Sequence, residues 1–291
     1  MYAIGDSSLT LRMTLIKKII SVSYFKDKVA IVTGSGMGIG KATALELCTQ
    51  GAKVVLNGRN PERLQKTYSE FKEKGYDVIA VSCDITKVSD CDKLITKTIE
   101  AYGKLDILIT NASVSMRERF DRLQPEVFAD IIHSNINGSA FPAWKALPHI
   151  KQSKGSITFI SSAAGLHGMP TGSAYSAGKM ALTALAQSLR IELDGTGVHV
   201  GVVHVGFTQN EDDKRVLNAK GELVPVARRP AYLQQTREEV AKAILRSIRK
   251  RNFKTVLSVM GKLNAFMVRF FPGLVSRIVI YSQKRMKDMY E

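Results

Sequence analysis

The chain has 291 residues, of which 45% are hydrophobic and 23% are charged, a composition that is typical of a globular protein and excludes an intrinsically disordered one. The three cysteines form no CxxC pair and have no histidine cluster near them, which argues against a disulfide scaffold or a zinc site and favours a reducing compartment. The formal net charge is +16, and no run of about 18 apolar residues is present to span a bilayer, so we expect a cytoplasmic protein.

Short apolar runs alternate with segments of helical spacing along most of the chain. The first strand is predicted at residues 28–33, and the helix that follows it at residues 38–50. Further strands are predicted at residues 52–56, 78–82, 105–110, 156–161, 198–205 and 253–260. Further helices are predicted at residues 61–74, 88–102, 125–152, 174–193 and 237–251. Pro142 and Pro148 should bend or break the helix at residues 125–152.

This alternation predicts an α/β fold, a Rossmann-type doubly wound parallel sheet of about seven strands with helices on both faces. One domain would cover residues 28–260. An N-terminal extension, residues 1–27, and a C-terminal extension, residues 261–291, would flank it.

A glycine-rich turn, residues 33–40, joins the first predicted strand to the first predicted helix. Glycines here permit a tight turn and a close approach to a pyrophosphate, which the N–H groups and the positive end of the helix dipole then bind. The spacing is GxxxGxG, at Gly34, Gly38 and Gly40. A P-loop is excluded, because it would need other residues at Ser35 and Ala42. We predict a dinucleotide-binding turn, with a glycine-rich surface turn as the alternative.

The end of the second predicted strand indicates which dinucleotide binds. An acidic residue there would accept hydrogen bonds from the adenosine ribose and select NAD, but residues 56–59 read Leu-Asn-Gly-Arg. Arg59 can hold the 2′-phosphate of NADP through a charge-assisted fork. The sequence favours NADP (NADPH) over NAD, with an arginine that is merely exposed on a loop as the alternative.

Tyr175 and Lys179 are four residues apart in a predicted helix and therefore share one face. A tyrosine with a pKa near ~10 is a poor acid at neutral pH, but a nearby ammonium group lowers that pKa. The pair is a candidate proton relay. Ser162 follows the fifth predicted strand, and open α/β sheets bind their ligands at the carboxyl ends of the strands.

These motifs together resemble the short-chain dehydrogenase/reductase family over residues 28–260. The resemblance is carried by the turn at residues 33–40 and by Asp84, Asn111, Ala112, Asn135, Ser161, Ser162, Tyr175, Lys179 and Gly206. It implies an NADP-dependent oxidoreductase that interconverts a ketone and a secondary alcohol by hydride transfer, acts on a small molecule and forms a homodimer or homotetramer.

The resemblance also implies roles for individual residues. Tyr175 would be the general acid in reduction and the base in oxidation, and Ser162 would polarise the substrate carbonyl. Lys179 would bind the nicotinamide ribose and lower the pKa of the tyrosine, and Asn135 would anchor a water that links Lys179 to solvent. Cofactor contacts would come from Gly34, Ser35, Gly36, Met37, Gly38, Ile39, Arg59, Asp84, Ile85, Asn111, Ala112, Tyr175, Lys179, Gly206 and Thr208. No metal ligands are expected.

Three positions depart from the family pattern. Ser113 replaces the glycine that usually follows Asn-Ala, Val205 replaces the proline that usually precedes Gly206, and Asn210 replaces a threonine, although Thr208 is close. These departures bear on the geometry of the nicotinamide pocket. The alternative function is a non-catalytic NADP-binding regulatory or scaffold protein. The substrate stays unidentified. Specificity would lie in residues 207–237, and the sequence of this segment does not indicate a substrate class.

The C-terminal part of the chain is strongly basic. Residues 228–291 hold 15 basic and 4 acidic side chains, whereas residues 28–227 hold 23 and 20. Apolar residues recur at helical spacing on both sides of Pro272, which predicts two helices, each with an apolar face. These faces would be buried in the oligomer or at an anionic membrane surface as a peripheral contact, unless the extension is disordered. We expect no nucleic-acid partner.

Overall fold

The computed structural model describes residues 24–211, 214–226 and 234–285. The predicted N-terminal extension therefore lies almost wholly outside the described residues. The same is true of residues 286–291 at the end of the predicted C-terminal extension.

Seven parallel strands form the central sheet, in the order β3-β2-β1-β4-β5-β6-β9. The strands are β1 (Val29–Val32), β2 (Lys53–Gly58), β3 (Val78–Ser82), β4 (Ile107–Thr110), β5 (Ser156–Ser162), β6 (His199–Val205) and β9 (Lys254–Val256). The strand order reverses between β1 and β4, which creates the crevice where doubly wound sheets bind ligands. The predicted Rossmann-type fold is confirmed.

Helices cover both faces of this sheet. They are α1 (Gly38–Thr49), α2 (Pro61–Glu73), α3 (Val88–Tyr102), α4 (Pro125–Ile132), α5 (Gly138–Ser153), α6 (Ser173–Glu192) and α7 (Arg237–Arg249). The core on one face joins side chains of α1, α2 and α7 to the sheet, and the core on the other face joins those of α3, α5 and α6. Because β1, β4 and β6 are covered on both faces, every residue of these three strands is buried.

The helix predicted at residues 125–152 is interrupted, but not at its prolines. Pro142 and Pro148 lie inside α5, whereas a π-helical turn occupies His133–Asn137. Each proline removes one backbone hydrogen bond, yet the helix continues through both positions, and Pro142 and Ala146 are buried in it. The irregularity falls instead on Asn135, as is common for π-helical turns at functional sites.

Two further segments differ from the sequence-based predictions. A hairpin, β7 (Arg215–Leu217) and β8 (Leu223–Pro225), lies in the segment after β6, where no element was predicted. The last strand ends at Val256, before the predicted residue 260, because the chain turns at Ser258. The hydroxyl of Ser258 then accepts a 3.0 Å hydrogen bond from the Gly261 N–H and caps the next helix.

Two helices, α8 (Val259–Phe270) and α9 (Pro272–Arg285), follow the sheet. Their large apolar side chains are 48% to 85% exposed at Val259, Met260, Leu263, Phe266, Phe270, Phe271, Leu274, Ile278, Ile280 and Tyr281. Residues 259–285 carry basic but no acidic side chains. Across the part of the chain that the structure describes, no helix is both long and apolar enough to cross a membrane.

Candidate active site

The glycine turn between β1 and α1 is held tightly against β4. The Asn111 amide donates to the carbonyl oxygens of Thr33, at 2.9 Å, and Gly34, at 3.2 Å. In return, the Thr33 hydroxyl accepts from the backbone N–H groups of Asn111 and Ala112. Gly34 has a φ of +63°, and a side chain on it would lie 2.9 Å from the Ala112 Cα, while one on Gly40 would collide with the Gly34 carbonyl. Only glycine fits these two positions.

Ser35 and Ile39 anchor the turn to the protein. The Ser35 hydroxyl is buried and accepts a 2.9 Å hydrogen bond from the Asn57 N–H at the end of β2. Ile39 packs against the core beneath α1. These two side chains face the interior of the protein, so any contact to a cofactor would come from their backbone.

The N-terminus of α1 binds an anion in this structure. Its first turn contains no acidic residue, and its N-cap, Met37, makes no side-chain hydrogen bond to the helix. Instead, the Gly38 N–H donates to Glu211 Oε1 at 2.8 Å. A phosphate group is recognised by the same kind of donor, so the turn fits the pyrophosphate of a dinucleotide.

Arg59 and Asp84 lie together beyond the ends of β2 and β3. The Arg59 Nη1 is 3.9 Å from Asp84 Oδ2, and the Arg59 side chain is 60% exposed. Partial burial would raise the pKa of Asp84, but two hydrogen bonds from Thr86, together with Arg59, hold it below its usual value. Ile85, next in the chain, is buried. The carboxylate at this end of the site is therefore ionised.

Sequence reasoning missed Arg63, which lies in the first turn of α2. Its Nη1 is 2.9 Å from the Met37 sulfur, and its Cγ would be 3.6 Å from a side chain on Gly36. Arg63 lies in the first turn of the helix predicted at residues 61–74, and no sequence motif marked it. Of the two arginines, Arg63 lies against the glycine turn and Arg59 lies beside Asp84.

Asn135 lies in the π-helical turn and is fully buried. Its amide nitrogen donates to the carbonyl oxygens of Val114, at 2.8 Å, and Ile131, at 3.0 Å. Both amide protons are therefore used, and Oδ1, which has no hydrogen-bond partner among the described residues, remains an acceptor. A side chain on Gly178 would lie 2.9 Å from the Asn135 Cβ, so a glycine here lets α6 approach the π-helical turn.

Tyr175 and Lys179 lie on consecutive turns of α6, as their spacing predicts. The Lys179 Nζ is 5.8 Å from the centre of the Tyr175 ring and donates a 2.9 Å hydrogen bond to the Ile160 carbonyl. Desolvation by burial, followed by repulsion from Lys214, lowers the pKa of Lys179 to about 7. The site therefore holds an amine that changes protonation near neutral pH.

Ser162 is the last residue of β5, and its Oγ accepts a 3.2 Å hydrogen bond from the Ala164 N–H. The hydroxyl proton is left to donate to a ligand. His204 on β6 supports this position, because its Nδ1 lies 3.1 Å from the Ser162 carbonyl. Burial lowers the pKa of His204 to about 4, so the ring is neutral. Gly206 follows β6, and its carbonyl accepts a hydrogen bond from Thr208.

Known proteins are similar to this chain in sequence. A family model described as short chain dehydrogenase matches residues 28–220. An uncharacterized oxidoreductase of Staphylococcus aureus (strain MRSA252) is 35% identical over 204 residues, which are 67% of this chain and 87% of that protein. The 11-beta-hydroxysteroid dehydrogenase 1A of Arabidopsis thaliana is 32% identical over 200 residues, or 68% of this chain, but the match spans only 57% of that protein.

A solved structure has the same fold. The short chain dehydrogenase/reductase from Burkholderia phymatum, in complex with NAD, matches with a TM-score of 0.74, covering 86% of this chain and 95% of that chain. The two sequences are 22% identical.

Proposed function

Because the chain belongs to the short-chain dehydrogenase family, we propose that it is an NADP-dependent oxidoreductase that interconverts a ketone and a secondary alcohol. The observation that carries the proposal is the Tyr175–Lys179 pair, in which a fully buried amine lies 5.8 Å from a tyrosine ring on the same helix. Proton transfer to a carbonyl requires an acid that is held in position and a neighbouring group that adjusts the pKa of that acid.

In the proposed reaction, Tyr175 transfers the proton and Ser162 stabilises the carbonyl oxygen. When bound, the nicotinamide cofactor supplies the hydride in reduction and accepts it in oxidation. Tyr175 holds the proton at its hydroxyl, gives it to the carbonyl oxygen in reduction and takes it back in oxidation. The Ser162 hydroxyl donates a hydrogen bond to the same oxygen, which stabilises the charge that develops there.

Lys179 and Asn135 would connect the tyrosine to solvent. Lys179 uses one of its donors on the Ile160 carbonyl, which leaves the others for a ribose hydroxyl and a water. The Asn135 Oδ1 is a buried acceptor without a partner among the described residues, and buried waters bind at such atoms. A water held between the two residues would return a proton to the tyrosine after each turnover.

A non-catalytic role is less well supported by the energetics of the site. Burying an ammonium group costs stability, and a protein that only binds or scaffolds would gain by losing Lys179. The two functions separate when nicotinamide fluorescence is followed on mixing with NADPH and then with a panel of ketones. Enhancement followed by ketone-dependent loss supports the enzyme, whereas enhancement that no ketone reverses supports the binding protein.

We expect NADPH to bind at least about tenfold more tightly than NADH, which corresponds to roughly 1.4 kcal/mol. Arg59, exposed at the end of β2, can pair with the 2′-phosphate, which NADH lacks. Arg59→Ala should remove most of this difference by weakening NADPH binding alone, as measured by calorimetric titration. Lys97→Ala, which removes a cation from the surface of α3, is the matched control. Equal affinities of the unmodified protein for NADPH and NADH would contradict the preference.

We also propose that the protein is a twofold homo-oligomer assembled through its long helices. Large apolar side chains are exposed there, including the only tryptophan of the chain, Trp144 on α5, at 63%, and Ile191 on α6, at 75%. Apolar exposure of this kind on a helical face favours association.

The tail, residues 259–285, has different properties, and we propose that it contacts an anionic membrane surface. Its exposed apolar side chains are accompanied by Lys262, Arg269, Arg277 and Lys284 and by no acidic residue. Two copies of such a surface would repel each other, whereas apolar rings and basic side chains together suit acidic head groups. A substrate reached through such a contact would be lipophilic.

The triple variant Phe266→Ser, Phe270→Ser and Ile278→Ser should lose most of its binding to phosphatidylserine vesicles at low salt, by about tenfold or more. All three side chains are exposed, so their loss leaves the core intact. Co-sedimentation measures the binding, Leu223→Ser, at an exposed apolar residue of β8, is the control, and light scattering follows the oligomer. If the unmodified protein stays in the supernatant and light scattering shows that the triple variant dissociates, the tail belongs to the oligomer interface instead.

A further inference from the structure

One carboxylate joins three distant parts of the chain at the mouth of the glycine turn. Glu211 Oε1 accepts a 2.8 Å hydrogen bond from the Gly38 N–H at the start of α1. The same oxygen accepts a 2.7 Å hydrogen bond from Nη1 of Arg237, the first residue of α7. The Glu211 and Arg237 side chains are both about one-quarter to one-third exposed. A water-accessible carboxylate thus lies at a helix N-terminus, where a phosphate group would also be bound.

The backbone explains why Glu211 and Arg237 arrive together. After β6, the chain pairs with Gln235, two residues before α7 begins. The Gln235 N–H donates to the Phe207 carbonyl at 2.8 Å, and the Gln209 N–H donates to the Gln235 carbonyl at 3.0 Å. The capping box formed by Thr236 fixes the start of α7. Glu211 and Arg237 therefore belong to one unit that covers the carboxyl end of β6.

The same unit contains a buried acceptor that a ligand could use. The side-chain Oε1 of Gln235 is buried and has no hydrogen-bond partner among the described residues. It lies 3.8 Å from the position that a Cβ on Gly206 would occupy. An unsatisfied buried acceptor costs free energy. A phosphate oxygen is itself an acceptor, so this atom would bind a donor group on another part of the bound molecule.

We propose that Glu211 occupies the position of a cofactor phosphate oxygen, and that Arg237 becomes a ligand of the pyrophosphate once the cofactor displaces Glu211. The donors on Oε1 are a helix N-terminal N–H and a guanidinium, the pair that recognises phosphate in proteins. A phosphate oxygen placed at Oε1 would lie within hydrogen-bond distance of both. This inference rests on the proposed function, because it assumes that the turn binds a dinucleotide.

The proposal predicts opposite effects for the two side chains. Glu211→Gln keeps the size of the side chain and removes the competing charge, so NADPH should bind about threefold to tenfold more tightly. Arg237→Gln removes a phosphate ligand and should weaken NADPH binding by about tenfold. Fluorescence titration of the full-length protein measures both, and Glu222→Gln, a charge loss in the same segment, is the control. 2′-AMP, which has no pyrophosphate, should bind all variants equally.

Thermal melting gives a readout that does not depend on turnover. Without cofactor, Glu211→Gln should melt lower than the unmodified protein, because α1 loses its N-terminal anion. With saturating NADPH, the melting temperatures should converge. If Glu211 only stabilises the fold, the Glu211→Gln variant will melt at a lower temperature than the unmodified protein and bind NADPH no more tightly. This result would overturn the inference. If no variant binds NADPH or NADH at all, the proposed function itself fails.

Discussion

Tyr175→Phe should lower turnover by about 10²-fold or more and leave the affinity for NADPH within a few-fold of the unmodified protein. The substitution removes the hydroxyl that would carry the proton, and the phenyl ring keeps the packing against Met116, Val127 and Ile131. Ketone-dependent NADPH consumption measures turnover, and fluorescence titration measures binding.

A matched control separates chemistry from general damage. Tyr281→Phe makes the same change on the exposed surface of α9 and should leave turnover unchanged. Ser162→Ala, which removes the second hydroxyl of the site, should also lower turnover strongly. Turnover that survives in Tyr175→Phe would show that the general acid lies elsewhere.

Lys179→Met should lower turnover by a similar factor and at the same time stabilise the protein at neutral pH. The amine of Lys179 is fully buried, and its pKa is lowered to about 7, whereas a lysine in the unfolded chain has a pKa of about 10.4. Between these values the unfolded chain holds a proton that the folded protein releases. The stability of the unmodified protein should therefore rise with pH in this window, by up to about 1.4 kcal/mol per pH unit.

The methionine variant should lose that slope. Urea unfolding at pH 7.0, 7.75 and 8.5, a range chosen to stay below most thiol titration, should give a free energy of unfolding that rises for the unmodified protein and not for Lys179→Met. At pH 7 the variant should also melt higher, by about 2–4 °C for each kcal/mol gained. Identical slopes and a lower melting temperature would contradict the buried, destabilised amine. An inactive but more stable variant would indicate that Lys179 is kept for function.

The parts of the site that follow local rules were predictable from the sequence. A parallel strand covered on both faces is an apolar run, a glycine turn has a fixed spacing, and Tyr175 and Lys179 share a helical face because they are four residues apart. Each of these patterns depends on neighbours in the chain, so seven strands, their helices and the core of the candidate site could be placed without coordinates.

The direction of individual side chains was not predictable in this way. Ser35 lies in the cofactor motif, yet its hydroxyl bonds to Asn57 on the neighbouring strand. The prolines of residues 125–152 suggested a break at the wrong place, because the break falls where Asn135 bonds to Val114, a residue from another segment. The strands of the hairpin β7–β8 have three residues each, which is too short for a periodic signal.

The layered fold, the family and the groups that can do the chemistry follow from patterns along the chain. The tertiary structure decided which of those groups meet. Glu211 and Gly38 are 173 residues apart. Asn135, in the π-helical turn, lies next to Gly178 of α6. Such contacts leave no local pattern, because the order of the strands, rather than the spacing along the chain, brings the residues together. The burial that lowers the pKa of Lys179 likewise comes from the folded core, which no stretch of sequence specifies alone.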